Sequence, residues 1–180
     1  QFDNWHIDVN GKTFEQYFSE RPSSLRRDII RREKKLASTR PFEIKISTQD
    51  GVRLEDIVAD YVTVYNHSWK QTEPFPEFIP RLAAVCHAAG ILRMGVLYLE
   101  GKPVAAQIWI GSGPKALIYK IAYDEQYREL GVGAILSKEM FRTAIDDDHV
   151  SEIDYGTGGE SYKKSWMPGT IGQSGRSPSR

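Results

Sequence analysis

The stretch "AYDEQYRELGVGAILSKEM", residues 122–140, decides how the chain is read. Upstream, "ALIYKIAY" (116–123) alternates like a strand. Downstream, Leu136, Met140, Phe141, Ala144 and Ile145 recur at helical spacing and predict a helix over 133–145. Between them stand Arg128, two spacers, Gly131 and Gly133. A glycine near a helix start gives up roughly 1 kcal/mol of helix propensity against alanine. Two readings compensate for that cost: a turn open only to glycine, or a ligand that needs bare backbone. A helix N-terminus beside a strand end offers unpaired N–H groups and the positive end of the helix dipole, a ready site for phosphate. Gly131 and Gly133 would let the backbone wrap an anion without Cβ interference, and Arg128 would add charge.

Working outward, the period changes twice. "ILRMGVLYL" (91–99), "VAAQIWIG" (104–111) and "ALIYKIAY" (116–123) read as three consecutive antiparallel strands, joined by turns at "EGKP" and "SGPK". Before them come a strand, "FEIKIS" (42–47), and two helices, 54–65 and 76–90. In the first of these Leu54, Ile57, Val58, Tyr61, Val62 and Tyr65 trace one face. After the 133–145 helix, "DDDH" leads to a short strand, "EIDYG" (152–156), and a last helix over 159–166. At the N-terminus, 13–19 and 21–36 read as helices, the second carrying seven basic residues interleaved with Asp28 and Glu33. That mixture reads as a solvated face. The expected class is α+β, a mixed and mostly antiparallel sheet flanked by helices, with one long crossover able to form a parallel unit. The expected division is an N-terminal helical segment (1–40), a domain over 41–167 and a flexible Gly/Ser/Pro/Arg-rich tail (168–180).

Composition narrows the function classes. With 24 Lys+Arg against 24 Asp+Glu, net charge gives no argument for nucleic acid or an acidic membrane. No apolar run reaches the ~18 residues a membrane span needs. The single cysteine, Cys86, cannot form an intramolecular disulfide and reads as a small buried residue. His6, His67, His87 and His149 lack metal-ligand spacing, so no metal is expected. The chain starts at Gln1 rather than Met, which suggests a piece of a longer protein.

R-x-x-G-x-G after a strand and opening an amphipathic helix resembles the acyl-CoA signature of the GNAT N-acyltransferase superfamily, and the element order from Phe42 to Trp166 is similar to that fold. Together with it, "RPSSLRRDIIRREKKL", "SWKQTEP", "GKPVAAQIWI", "IYKIAYDEQY" and "EIDYGTGGESYKKSWM" resemble the CelD/BcsL-type acetyltransferases, relatives of the FemAB peptidyltransferases, over roughly residues 17–167. That group is associated with bacterial extracellular polysaccharide and cellulose production. The resemblance departs in two places. The two strands that usually follow the last helix have no alternating counterpart after Met167. Fem-type relatives also carry two such domains, where this chain has room for one, so a second GNAT-like domain or a homodimer is a possible partner.

The resemblance implies acetyl-CoA or another acyl-CoA as co-substrate. Ile121, Ala122 and Tyr123 would run alongside pantetheine. Arg128, Glu129, Leu130, Gly131, Val132, Gly133 and Ala134 would hold the pyrophosphate. For acid–base work the candidates are Asp154 as base, Tyr162 as the acid for the departing thiolate, and Lys163 to steady a phosphate or carboxylate. Each has a structural alternative: a turn-capping aspartate, a packed tyrosine, a solvated lysine. Trp69, Lys70 and Glu73, in a loop where acceptors bind in such enzymes, are candidate acceptor contacts together with Gln107, Tyr119 and Tyr155. Trp69 also reads as a core plug. The expected function is acyl transfer to an amine or hydroxyl of a small molecule or sugar precursor in the bacterial cytoplasm, with no nucleic acid and no membrane insertion. Two competitors stand beside it: a Fem-like transferase using aminoacyl-tRNA, and a non-catalytic interaction module of the same fold.

Overall fold

In the computed structural model, which describes residues 4–157, 161–167 and 170–171, seven strands form one sheet in the order β2-β3-β4-β5-β6-β1-β7. The strands are β1 (Asn4–Asp8), β2 (Phe42–Ile46), β3 (Leu92–Leu99), β4 (Lys102–Ser112), β5 (Lys115–Tyr123), β6 (Glu152–Thr157) and β7 (Thr170–Ile171). The helices are α1 (Phe14–Ser19), α2 (Ser23–Thr39), α3 (Leu54–Asn66), α4 (Phe78–Ala88), α5 (Val132–Arg142) and α6 (Ser161–Trp166). The α+β class and the mixed sheet agree with the sequence reading.

From β2 to β5 the sheet is an antiparallel meander. Glu100 and Gly101 both take positive φ (51° and 80°), the geometry of a tight hairpin between β3 and β4. Helices α3 and α4 cover one face: Ile57, Tyr61 and Val64 of α3 and Ile79, Ala83 and Cys86 of α4 pack on Met94, Val96, Ala106 and Ile108. The other face is covered by α5, with α2 and the aromatic residues Tyr17 and Trp166 completing a larger cluster around Trp109 and Phe141. Gly95 of β3 makes this close approach possible, because a Cβ there would lie 2.3 Å from the Met140 sulfur on α5.

Three features depart from expectation. Residues 4–8 form a strand where none was read, and alternate Trp5, Ile7 and Val9 into the core. This β1 pairs antiparallel with β6, Ile7 opposite Ile153, and β7 pairs with β1 in turn. The position beside β6 is therefore filled from the N-terminus rather than from beyond the last helix. Second, Glu125–Leu130 wind as a 3-10 helix before α5, and α5 widens into a π turn over Thr143–Asp147. Third, Arg21 is buried, not on a solvated face, and donates to the Trp166 carbonyl at 2.8 Å. Of the segment read as tail, Thr170–Ile171 form β7; 168–169 and 172–180 lie outside the described residues.

Candidate functional site

The site begins where β5 and β6 part. The two strands pair in parallel only from Lys115–Glu152 to Leu117–Asp154. Beyond Leu117, β5 runs on to Tyr123 while β6 follows β1 instead. A cavity of about 470 Å³ opens there, walled by Gln107, Ile121, Ala122 and Tyr123 from the sheet, Gly133, Ala134 and Ser137 from α5, and Tyr162 and Trp166 from α6. Trp69, Glu125 and Arg128 complete its rim.

The glycine loop forms one end of this space. Asp124, buried, accepts from the Gln126 amide at 3.0 Å and starts the 3-10 turn. Gly131 then takes φ +69°, ψ 29°, ending that turn and opening α5 in one step. This left-handed conformation is costly for any residue with a Cβ. The first intrahelical bond of α5 runs from the Ile135 amide to the Gly131 carbonyl at 3.1 Å, so the Val132, Gly133 and Ala134 amides precede the ladder. They border a chamber of about 120 Å³, shared with Tyr123 and Arg128, that adjoins the larger cavity. On its opposite side the loop is closed by Arg32 of α2. Its guanidinium donates to the Glu129 carbonyl and to Asp28, and a Cβ on Gly131 would lie 2.6 Å from its Cδ. Gly131 makes the turn, and the amides that follow it face open space.

The fit to an acyl-CoA is carried by this chain's own groups. Bare amides and an arginine with no carboxylate partner among the described residues suit a diphosphate, and the unpaired edge of β5 suits an amide-containing arm.

The residues read from sequence divide into those the cavity gathers and those it does not. Ile121, Ala122, Tyr123, Arg128, Gly133 and Ala134 line it, and Gly131 and Val132 line the adjoining chamber. Glu129 and Leu130 instead face outward, toward a basic recess of about 280 Å³ with Arg31, Arg32, Lys35 and Arg40. Trp69 is 45% exposed and stands against Tyr123 (centroids 4.5 Å apart), a rim residue rather than a core plug. Lys70 lies over the Trp69 ring at 5.6 Å.

Tyr119 turns away from the cavity, and the reason is a bulge. Trp109 sits opposite Ile118 and Ile108 opposite Lys120, leaving Tyr119 as an extra residue on β5. Tyr119 packs into the α3/α4 cluster, and Lys120 pairs there with Glu73 at 2.6 Å. The same offset directs Ile121 and Tyr123 to the α5 side.

Of the acid–base candidates, Tyr162 reaches the cavity. The Asp154 carboxylate accepts from the Gly156 amide, the turn-capping arrangement, and is not among the cavity residues. Lys163 is buried and donates to the Tyr155 carbonyl at 3.4 Å. Tyr155 lies beneath the site with its phenol pushed up, first by burial and then by Tyr162 beside it. Sequence reasoning missed Ser137, Trp166 and Glu125. A serine among apolar helix residues carries no periodic signal, and Trp166 is held at the cavity by Tyr17 and Arg21, which both donate to its carbonyl (2.7 and 2.8 Å), and by stacking on Phe141.

Among the described residues no group of His, Cys, Asp and Glu is placed to hold a metal, and no helix is long and apolar enough to cross a membrane.

No curated protein sequence matches the chain. Its fold is similar to the crystal structure of FemX (TM-score 0.67, 11% identity), covering 91% of this chain and 57% of that one. It is also similar to L-PGS from Bacillus licheniformis (0.56, 11%; 89% and 48%). A third likeness is AAC(6')-Iy, solved with the bisubstrate analogue CoA-S-monomethyl-acetylneamine (0.53, 11%; 68% and 83%). The chain thus spans about half the length of the first two. The acetyltransferase (GNAT) domain family matches residues 23–164, which takes in the splayed strands, the glycine loop and most of α6, and the chain belongs to that family.

Proposed function

We propose that the chain is an acyltransferase that moves an acyl group, most simply acetyl, from a CoA thioester to an amine or hydroxyl acceptor. The observation that carries this is the continuity of the α5 amide chamber with the cavity between β5 and β6. The thioester supplies an acyl carbon open to direct attack, with no covalent enzyme intermediate required. The Val132–Ala134 amides and Arg128 bind the diphosphate, with Tyr123 and Trp69 beside it. In this reading Tyr162 donates a proton to the departing thiolate, and the proton released by the acceptor restores the phenol. Asp154, Lys163 and Tyr155 support α6 and the strand end in this reading. Isothermal titration with CoA tests it directly: saturable binding that Gly133→Val abolishes is expected, and no heat with the intact protein would sink it.

The outward basic recess of Arg31, Arg32, Lys35 and Arg40 favours a second reading, a larger anionic donor such as aminoacyl-tRNA. tRNA binding that survives excess CoA would select it. A non-catalytic module of this fold would bind CoA without turning over any amine. The CelD/BcsL-type sequence resemblance supports a bacterial cytoplasmic setting and a sugar-precursor acceptor from polysaccharide synthesis. A second GNAT-like domain or second copy would extend the acceptor side.

A further inference from the structure

A second pocket lies on the α3/α4 face of the sheet. It measures about 170 Å³ and is walled by Tyr61, Val62 and Tyr65 of α3, Ile79 of α4, and Glu73 and Pro76 of the loop between them. Its polar groups are incompletely paired. Tyr61 is 1% exposed, and its hydroxyl has no hydrogen-bond partner among the described residues. Burial first, then Tyr65, Glu73 and Tyr119 raise its pKa, so the hydroxyl stays protonated and lies within the field of the pocket's own polar side chains. Glu73 accepts from Lys120 at 2.6 Å through one carboxylate oxygen; the other accepts no bond among the described residues. Tyr65 donates its hydrogen to the Gln71 carbonyl at 3.1 Å and keeps its lone pairs. The rest of the wall, Val62, Pro76 and Ile79, is apolar. A buried donor left without an acceptor is costly. An apolar pocket with a few convergent polar groups is the usual form of a small-molecule site.

The chemistry of the ligand follows from what these groups lack. Tyr61 needs an acceptor, whereas Glu73 and Tyr65 need donors. An ammonium group offers donors only. A carboxylate offers acceptors only, and meets Glu73 as a like charge. Lys120 already neutralises Glu73, so the pair leaves no net charge that calls for an ion. A hydroxyl both accepts and donates, and a ring bearing several of them has C–H faces to lie on Val62, Pro76 and Ile79.

We propose that this pocket binds a neutral polyhydroxylated ring, a sugar or cyclitol, through Tyr61 and Glu73, and that the ring belongs to the acceptor of acyl transfer. Its role as acceptor rests on the acyl-transfer reading and names the substrate class for it. Position supports that role. Lys120, the partner of Glu73, immediately precedes Ile121 in the wall of the transfer cavity, and Trp69 on that cavity's rim belongs to the same loop as Glu73.

Saturation-transfer NMR on the intact chain tests this with methyl glucoside and myo-inositol. Cyclohexylammonium, cyclohexanecarboxylate and cyclohexanecarboxamide serve as rings that carry a cation, an anion or an amide instead. Saturable binding of a polyol is expected, weakened roughly threefold to tenfold by Tyr61→Phe and by Glu73→Gln. Tyr61→Phe removes one hydroxyl from a protein whose urea midpoint should not fall, so a lost signal there is not lost folding. No polyol binding, tighter binding of any of the other three rings, or polyol binding that either variant leaves unchanged overturns the assignment. CoA titrations of both variants should match that of the unsubstituted protein. If the unsubstituted protein binds a polyol but not CoA, the pocket stands and the acyl-transfer reading fails.

Discussion

Gly131 and Gly133 serve different ends. At Gly131 an alanine would sit at φ +69° with its Cβ against Arg32, forcing that side chain off the Glu129 carbonyl. Gly131→Ala should cost about 1–2 kcal/mol in a urea melt. A Cβ at Gly133 meets Tyr123 Cδ1 at 3.2 Å, inside the cradle, so Gly133→Val should abolish CoA binding with a far smaller change in urea midpoint. Tyr61 offers an opposite sign. Its hydroxyl is buried with no hydrogen-bond partner among the described residues, and burial raises its pKa. Tyr61→Phe should therefore leave stability unchanged or raise it by up to about 1 kcal/mol; a clear loss would mean that the hydroxyl is bonded. Glycine and arginine were legible because a strand-to-helix junction makes demands few residues meet. Tyr119 was not: one inserted residue reverses every later facing, and alternation alone does not reveal it. Ser137 was hidden for another reason, since its partner Gln107 comes from a different element.

At the scale of elements, α6 depends on what holds its end. Arg21 and Tyr17 converge on the Trp166 carbonyl, and Trp166 stacks on Phe141 at 4.9 Å. Arg21→Met keeps the aliphatic stem and removes the donors. It should cost about 1.5–3 kcal/mol and speed proteolysis near α6. The basic helix α2 answers to pH. Arg31 first, then Arg32, hold the Asp28 carboxyl below its usual range. A lowered carboxylate pKa stabilises the fold above the unfolded value, near 4, and that contribution disappears as pH falls through the folded value. Asp28 is well exposed, so the effect is small: Asp28→Asn should shift the urea midpoint slightly at pH 7 and by less as the pH falls below about 4. The stripe of Leu25, Ile29 and Leu36 made α2 readable. The burial of Arg21 was not readable, because it depends on a carbonyl supplied 145 residues later.

For the whole molecule, the least legible feature is the strand order. "NWHID" alternates as well as "FEIKI" does, yet five residues carry too little pattern to announce a partner across the sequence. The helices and the meander rest on local signals and were read within a few residues. Removing residues 1–9 takes away Trp5, Ile7 and Val9 and leaves β6 with an uncovered edge. The shortened protein should aggregate, seen as light scattering during a thermal ramp that the full chain tolerates.

The pairing of β1 with β6 also sets a schedule. On the ribosome, β1 precedes β6 by roughly 150 residues, so about 7–30 s pass at ordinary elongation rates before its neighbour exists. Throughout that interval the strand lacks the β6 ladder that holds it in the sheet. The nascent chain is therefore a natural client for chaperones, and translation speed becomes one of the variables that decide its yield.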